Sequence, residues 1–397
     1  MTAALTITTA VAGRLNGDIM FRIKSENIIC DDKVISGYIY FENGKIVYVG
    51  QDQLAFDGEL DVGDNFVSAG FIDIHTHGGG GFSFDGSVEE IVKGADFHLS
   101  HGTTSVLPTV SAAPIDVMRT ASKNITDAIK LSKANIIGAH LEGPYLSPAQ
   151  CGAQATEFMT APIVSDYKEL IESEDYVIKR WSYAPENDVN GEFCNYLTSH
   201  GVLASAGHTD AIYDDMKTAM ANGCNLVTHL YSCTSTVTRD HGFRRLGVIE
   251  TAYLEDDMYV EIIADGKHLP PDLIRLILKI KGTDKVALIT DSLSIAGTDA
   301  KSGRMQATDY IIEDGVCKLC DRSAFAGSIA TADRLIRVMV NDVGVDIKDA
   351  VKMLTLVPAT LLKLNKGRIF EGYDADIIVF DKDINIKHVF VNGNNVK

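Results

Sequence analysis

The chain has 397 residues, 46% of them hydrophobic and 23% charged, which supplies one large core and a smaller module and excludes a disordered chain. A net charge of −18 excludes a broad nucleic-acid or anionic-membrane surface, since both need basic patches. Seven scattered cysteines, an odd number, fit a reducing, cytoplasmic setting better than a disulfide scaffold, and no apolar run is long enough to span a bilayer.

Residues 1–19 are mildly apolar but lack the basic start of a signal peptide, so a loose N-terminal extension is expected there. From about residue 20 to 67, short β-rich runs alternate with turns such as Glu42-Asn43-Gly44. The last thirty residues resume that style, with Val391-Asn392-Gly393-Asn394 as a tight turn. Chain ends tend to lie close together, so residues 1–67 and 365–397 are expected to share one small β-sandwich domain. Between them, over 68–364, apolar strands near 69–75, 103–109, 136–141, 177–184, 202–207, 225–229, 259–264 and 286–290 alternate with helix-like segments such as "SVEEIVKGADFHLS" and "PPDLIRLILKIKG". Eight such units suit a (β/α)₈ TIM-like barrel better than an open doubly wound sheet, although alternation alone allows either. Helices near 331–345 and 347–364 complete the α/β fold. The single C-x-x-C, Cys317 to Cys320, has no second pair and reads as part of a hairpin.

In a barrel of this kind the chemistry gathers at the C-terminal strand ends. Strand one runs into "HTHGGGG", and residues two apart on a strand share a face, so His75 and His77 can approach one ligand. Later strands end at Glu142, His208, His229, Asp265 followed by His268, and Asp291. Each has an ordinary explanation alone: a core histidine, a helix cap, a turn. Four histidines and two carboxylates at corresponding strand ends are economically explained by a cation, because unpaired buried charge is costly. Mixed nitrogen and oxygen donors suit zinc, iron or manganese, as one or two divalent ions. In the two-ion arrangement Glu142 bridges, His75, His77 and Asp291 hold one ion, and His208 and His229 hold the other. Asp291 then serves as acid/base toward a metal-activated water.

The ordered text "AGFIDIHTHGGGG", "HLEGPYLSP", "SAGHTDA", "THLYS", "IIADGKHLP", "LITDSL", "FAGSIAT" and "GRIFEGYDADIIVFD" resembles the N-acetylglucosamine-6-phosphate deacetylase family of the amidohydrolase superfamily, from about residue 34 to the end. The resemblance implies hydrolysis of the N-acetyl group of an amino-sugar 6-phosphate, with Glu142, His208 and His229 as primary metal ligands and His75 and His77 serving a second ion. It implies Asp291 as catalytic acid/base, His268 as a sugar-hydroxyl contact, and Phe325, Ala326 and Gly327 along the acetyl side. It also implies a homodimer.

Three departures mark this chain. Gln154 stands where many members carry a histidine, Ser232 and Cys233 replace the Asn-Ala of the phosphate segment, and "VTRDHGFRRLG" replaces Arg-Glu-Pro-Gly. That loop brings Arg239, His241, Arg244 and Arg245, and arginine binds phosphate in a bidentate fashion, so Arg239 and Arg244 are candidate phosphate contacts within the chain or across a dimer. The altered segments leave the galactosamine isomer as an alternative substrate, with another amidase or deaminase of the superfamily behind it, and a catalytically silent scaffold as the non-enzymatic reading.

Overall fold

The β-rich runs at the two chain ends meet in one eight-stranded sheet. In the computed structural model, which describes residues 19–397, strands Phe21–Ile29, Val34–Glu42, Lys45–Gly50, Gly58–Asp61 and Phe66–Ala69 join Ile377–Phe380, Ile386–Val391 and Asn394–Asn395. The expected extension over residues 1–19 lies, apart from Ile19, outside the described residues. The seam is the antiparallel pair of Phe66–Ala69 with Ile377–Phe380, with Ala69 opposite Ile377. Phe41 and Phe390 sit on strands four places apart, roughly 19 Å in a flat sheet at ~4.8 Å per strand, yet their ring centroids are 5.6 Å apart. The sheet therefore rolls over its own core, which includes Ile23, Ile39, Val67 and Val379, and so takes a sandwich-like form. The final hairpin turns through Asn392 and Gly393, both at positive φ, as a two-residue turn matched to strand twist requires.

Ala69 leads directly through Gly70 into the first barrel strand, Phe71–Thr76. A Cβ on Gly70 would lie 2.1 Å from Thr104 Oγ1, so only glycine permits this junction. Parallel strands Thr103–Ser111, Ala139–Glu142, Ile178–Tyr183, Leu203–Ala206, Leu226–Val227, Tyr259–Ile263 and Val286–Ile289 follow in order around the barrel. The eighth returns to the first through Asp291 N to His75 O at 2.9 Å and His77 N to Ser292 O at 2.8 Å. All eight expected strands are present.

The helices cover the outside because each carries one apolar stripe. Val88–Ser100 begins with a capping box, in which Ser87 Oγ accepts from Glu90 N and the Glu90 carboxylate accepts from Ser87 N, and buries Ile91, Ala95 and Leu99. Two insertions rise from the C-terminal face. After strand six comes the hairpin Thr238–Asp240 and Phe243–Arg245; after strand eight comes a three-stranded flap, Ser302–Met305, Thr308–Glu313 and Val316–Leu319. Cys317 lies on the flap and Cys320 just beyond it, both as free thiols. Among the described residues no helix is long and apolar enough to cross a membrane.

Candidate metal centre

The strand ends converge on Glu142. Its Oε1 lies 3.0 Å from His229 Nε2, 3.1 Å from His208 Nε2 and 3.3 Å from His75 Nε2. Its Oε2 lies 3.2 Å from His77 Nε2, and Asp291 Oδ1 is 3.2 Å from the same nitrogen and 3.6 Å from His75 Nε2. Ligand atoms fall into three compact groups: His75, His77 and Glu142; His75, His229 and Asp291; Glu142, His208 and His229. All six side chains are buried. His208, His229 and Asp291 also hold positive φ (48°, 28° and 48°), a region that non-glycine residues avoid and that clusters at functional sites.

The outer ring nitrogens are mostly spoken for. Nδ1 of His77 faces Ser111 Oγ, that of His208 faces the Gln150 carbonyl and that of His229 faces the Ser232 carbonyl, each at 3.0 Å. With Nδ1 protonated, Nε2 presents its lone pair inward. His75 is the exception: neither ring nitrogen finds a hydrogen-bond partner within the protein, although the ring is fully buried. An orphaned imidazole among carboxylates is what a cation would satisfy, and the donor set fits zinc, iron or manganese.

The charges support this reading. Burial alone would lower the pKa of His75, but Glu142 and Asp291 outweigh it and hold the ring at about 9; the same competition holds His77 at about 10. Burial works against ionised Glu142 and Asp291, yet His75 and its neighbours keep Glu142 well below, and Asp291 below, the usual carboxylate range. Both acids are therefore anionic at neutral pH, the form that binds cations.

A cleft of about 270 Å³ opens beside this cluster, lined by Gln154, Ser232, Cys233, His268, Phe325 and Gly327 among others. Ala326 lies buried beneath the lining. Asp265 stays outside the cluster: its Oδ2 sits 2.9 Å from His268 Nδ1 and orients that ring against Phe325, 5.0 Å between centroids. Gln154 is tied at both ends, its Nε2 donating to Glu142 Oε2 at 2.7 Å and its Oε1 accepting from Ala112 N at 2.9 Å. Arg239 and Arg244 lie opposite each other on the exposed hairpin and do not line the cleft of their own chain. Sequence reasoning did not single out Arg180 and Glu261, a fully buried ion pair beneath the centre. The signal was available as Glu261, the one charged residue in the strand "YVEII", and as Arg180 in "IKRWSY", where it alternates in facing with exposed Lys179 and so points into the barrel.

The amidohydrolase family profile matches residues 66–396, most of the chain. The chain belongs to the amidohydrolase family. Among its relatives, this amidohydrolase is 30% identical to the N-acetylglucosamine-6-phosphate deacetylase of Bacillus subtilis over 94% of its own length and 96% of the relative's. It is also 30% identical to an N-acetylgalactosamine-6-phosphate deacetylase of Shewanella sp. (strain ANA-3), over 82% of each chain. The solved structure of a mutant N-acetyl-D-glucosamine-6-phosphate deacetylase from Mycobacterium smegmatis, in complex with N-acetyl-D-glucosamine-6-phosphate, superposes with a TM-score of 0.89 at 26% identity, covering 95% of this chain and 99% of that one.

Proposed function

We propose that this amidohydrolase hydrolyses the amide of N-acetylglucosamine-6-phosphate, releasing acetate and glucosamine-6-phosphate. The observation that carries the reading is the convergence of four histidines, Glu142 and Asp291 within one buried cluster at the floor of a sugar-sized cleft. One or two divalent ions held by Glu142, His208, His229, His75, His77 and Asp291 would lower the pKa of a water molecule and polarise the acetyl carbonyl. Asp291, ionised and at the cleft floor, takes the proton of the attacking water on its carboxylate and returns it to the departing amine nitrogen. His268, held by Asp265 against Phe325, orients a sugar hydroxyl, and the Phe325 to Gly327 segment packs on the acetyl methyl. Ser232 and Cys233 face the phosphate, and Arg239 or Arg244 reaches it from a second copy of the chain in a homodimer, consistent with the exposure of both arginines. Of the described residues, 19–67 with 365–397 form the sheet domain and 68–364 the catalytic barrel, in a cytoplasmic protein that binds neither nucleic acid nor membrane.

The Shewanella relative favours a second reading, the galactosamine isomer, at the same level of identity as the Bacillus relative. Acetate release from the 6-phosphates of N-acetylglucosamine, N-acetylgalactosamine and N-acetylmannosamine, compared between wild type and Asp291→Asn, separates them. The glucosamine compound should be preferred, and the substitution should lower kcat by about 10² to 10⁴. Turnover of ureide or aminopurine substrates with every acetylated sugar untouched would overturn the assignment.

A further inference from the structure

Beneath the cluster a bidentate ion pair crosses the barrel interior, from Arg180 on the fourth strand to Glu261 on the seventh, both with no exposed surface. The guanidinium is fully engaged: Nε donates to Ser205 Oγ at 3.1 Å, Nη1 to the Ile74 carbonyl at 3.1 Å, and Nη2 to Thr228 Oγ1 at 3.0 Å and Glu261 Oε2 at 2.8 Å. Burying such a pair gains little stability over an apolar pair of equal volume, so stability does not account for it. Its placement does. Glu261 Oε2 lies 3.5 Å from His75 Nδ1 and 3.4 Å from His229 N, and Arg180 holds the carbonyl of the residue preceding His75.

Resting on the metal-centre reading above, we infer that Glu261, locked by Arg180, is the positioning residue for His75. A carboxylate facing Nδ1 repels that nitrogen's lone pair and stabilises its proton, so the tautomer with a free lone pair on Nε2, toward Glu142 and Asp291, is selected. His77, His208 and His229 face a hydroxyl or a carbonyl instead; of the four, His75 alone is backed by a full negative charge. Such outer carboxylates raise the basicity of the ligand imidazole. The cation held through His75 and His77 therefore depends on Glu261, whereas the Glu142, His208 and His229 group depends on it much less.

Zinc binding, followed by chelator competition and metal analysis, tests this in wild type, Glu261→Gln, His75→Ala and the double variant. Glu261→Gln should weaken the ion held through His75 about 10- to 100-fold while weakening zinc at His208 and His229 by clearly less than about 10-fold. In the His75→Ala background Glu261→Gln should have no further effect on zinc affinity, and the ¹⁵N shifts of His75 in the zinc-loaded protein should report a protonated Nδ1. Should Glu261→Gln fail to fold with Arg180 left unpaired, Arg180→Met/Glu261→Leu removes both charges and should show the same zinc loss. Wild-type zinc affinity in the folded variants, or an equal loss in the His75→Ala background, overturns this inference alone. A wild type that takes up no zinc overturns the metal centre and this inference with it.

Discussion

Gln154 illustrates how far a single residue can be read from its type. An amide in place of an imidazole is legible in the sequence as a donor that carries no charge. That its two ends are already committed, to the Glu142 carboxylate and the Ala112 backbone, depends on contacts 12 and 42 residues away and is not legible. The same holds for Glu261, whose importance comes from His75 and Arg180, far off in the chain. By contrast His75, His77, Glu142, His208, His229 and Asp291 were recoverable because each directly follows or ends a recognisable strand. For Gln154 the consequence is specific. Gln154→Leu, similar in volume, removes the acceptor of a buried amide and the donor to Glu142. It should cost about 1–3 kcal/mol, measured by urea denaturation, and should also weaken zinc binding. Gln154→Glu should be worse for zinc-free folding, since it sets a second carboxylate against Glu142.

At the scale of elements, the barrel strands were readable because strands buried on both faces are continuous apolar runs bounded by glycine and polar residues. "VALI" has that form; "FIDIHT" and "TTSVLPTVS" interleave apolar with polar residues, yet all three are buried along their whole length. The hairpin around His241 and the flap after strand eight carry no such signature. Each strand there is three to six residues long; those of the hairpin are largely exposed and those of the flap mostly half-buried, so neither carries a continuous buried face. The hairpin presents Arg239 opposite Arg244, with Phe243 79% exposed at its tip. Arg245 is already paired with Asp240, which leaves the other two arginines for an anionic partner. Replacing Arg239 and Arg244 together by alanine should raise KM for the phosphorylated sugar about 10- to 100-fold, as lost charge-assisted hydrogen bonds of about 1.5–3 kcal/mol imply. The rate at saturation and the slow turnover of unphosphorylated N-acetylglucosamine should stay unchanged. A matching fall in kcat for both sugars would show instead that the hairpin supports the fold of the cleft.

For the whole molecule, the metal centre couples stability, pH and cation binding, and the sign follows from the ring environments. His75 and His77 have pKa values of about 9 and 10, above the 6.5 of an unfolded chain. Their pairing with Glu142 and Asp291 thus contributes stability that is fully present below pH 6.5 and is lost as pH rises through 9 to 10. The two carboxylates are held below 4.5 and 3.8, so their contribution is present above those values and is lost as pH falls toward the folded ones. Chelator-treated protein should accordingly be most stable between about pH 4.5 and 6.5 and should lose on the order of 3 kcal/mol between pH 6.5 and 10 from His75 alone. Zinc reverses the slope, because it requires neutral imidazoles and must displace those protons. The gap in Tm between zinc-loaded and chelated protein should therefore widen as pH rises from 6.5 to 9. Calorimetric titration with zinc at pH 7, in two buffers of different ionisation enthalpy, should show release of about three protons when both ligand groups are filled, one each from His75, His77 and His208, whose charged forms Glu142 and its neighbours favour in the metal-free protein. A Tm gap independent of pH, with no proton release, would mean that the histidines are neutral before the cation arrives and that Glu142 and Asp291 do not govern their charge.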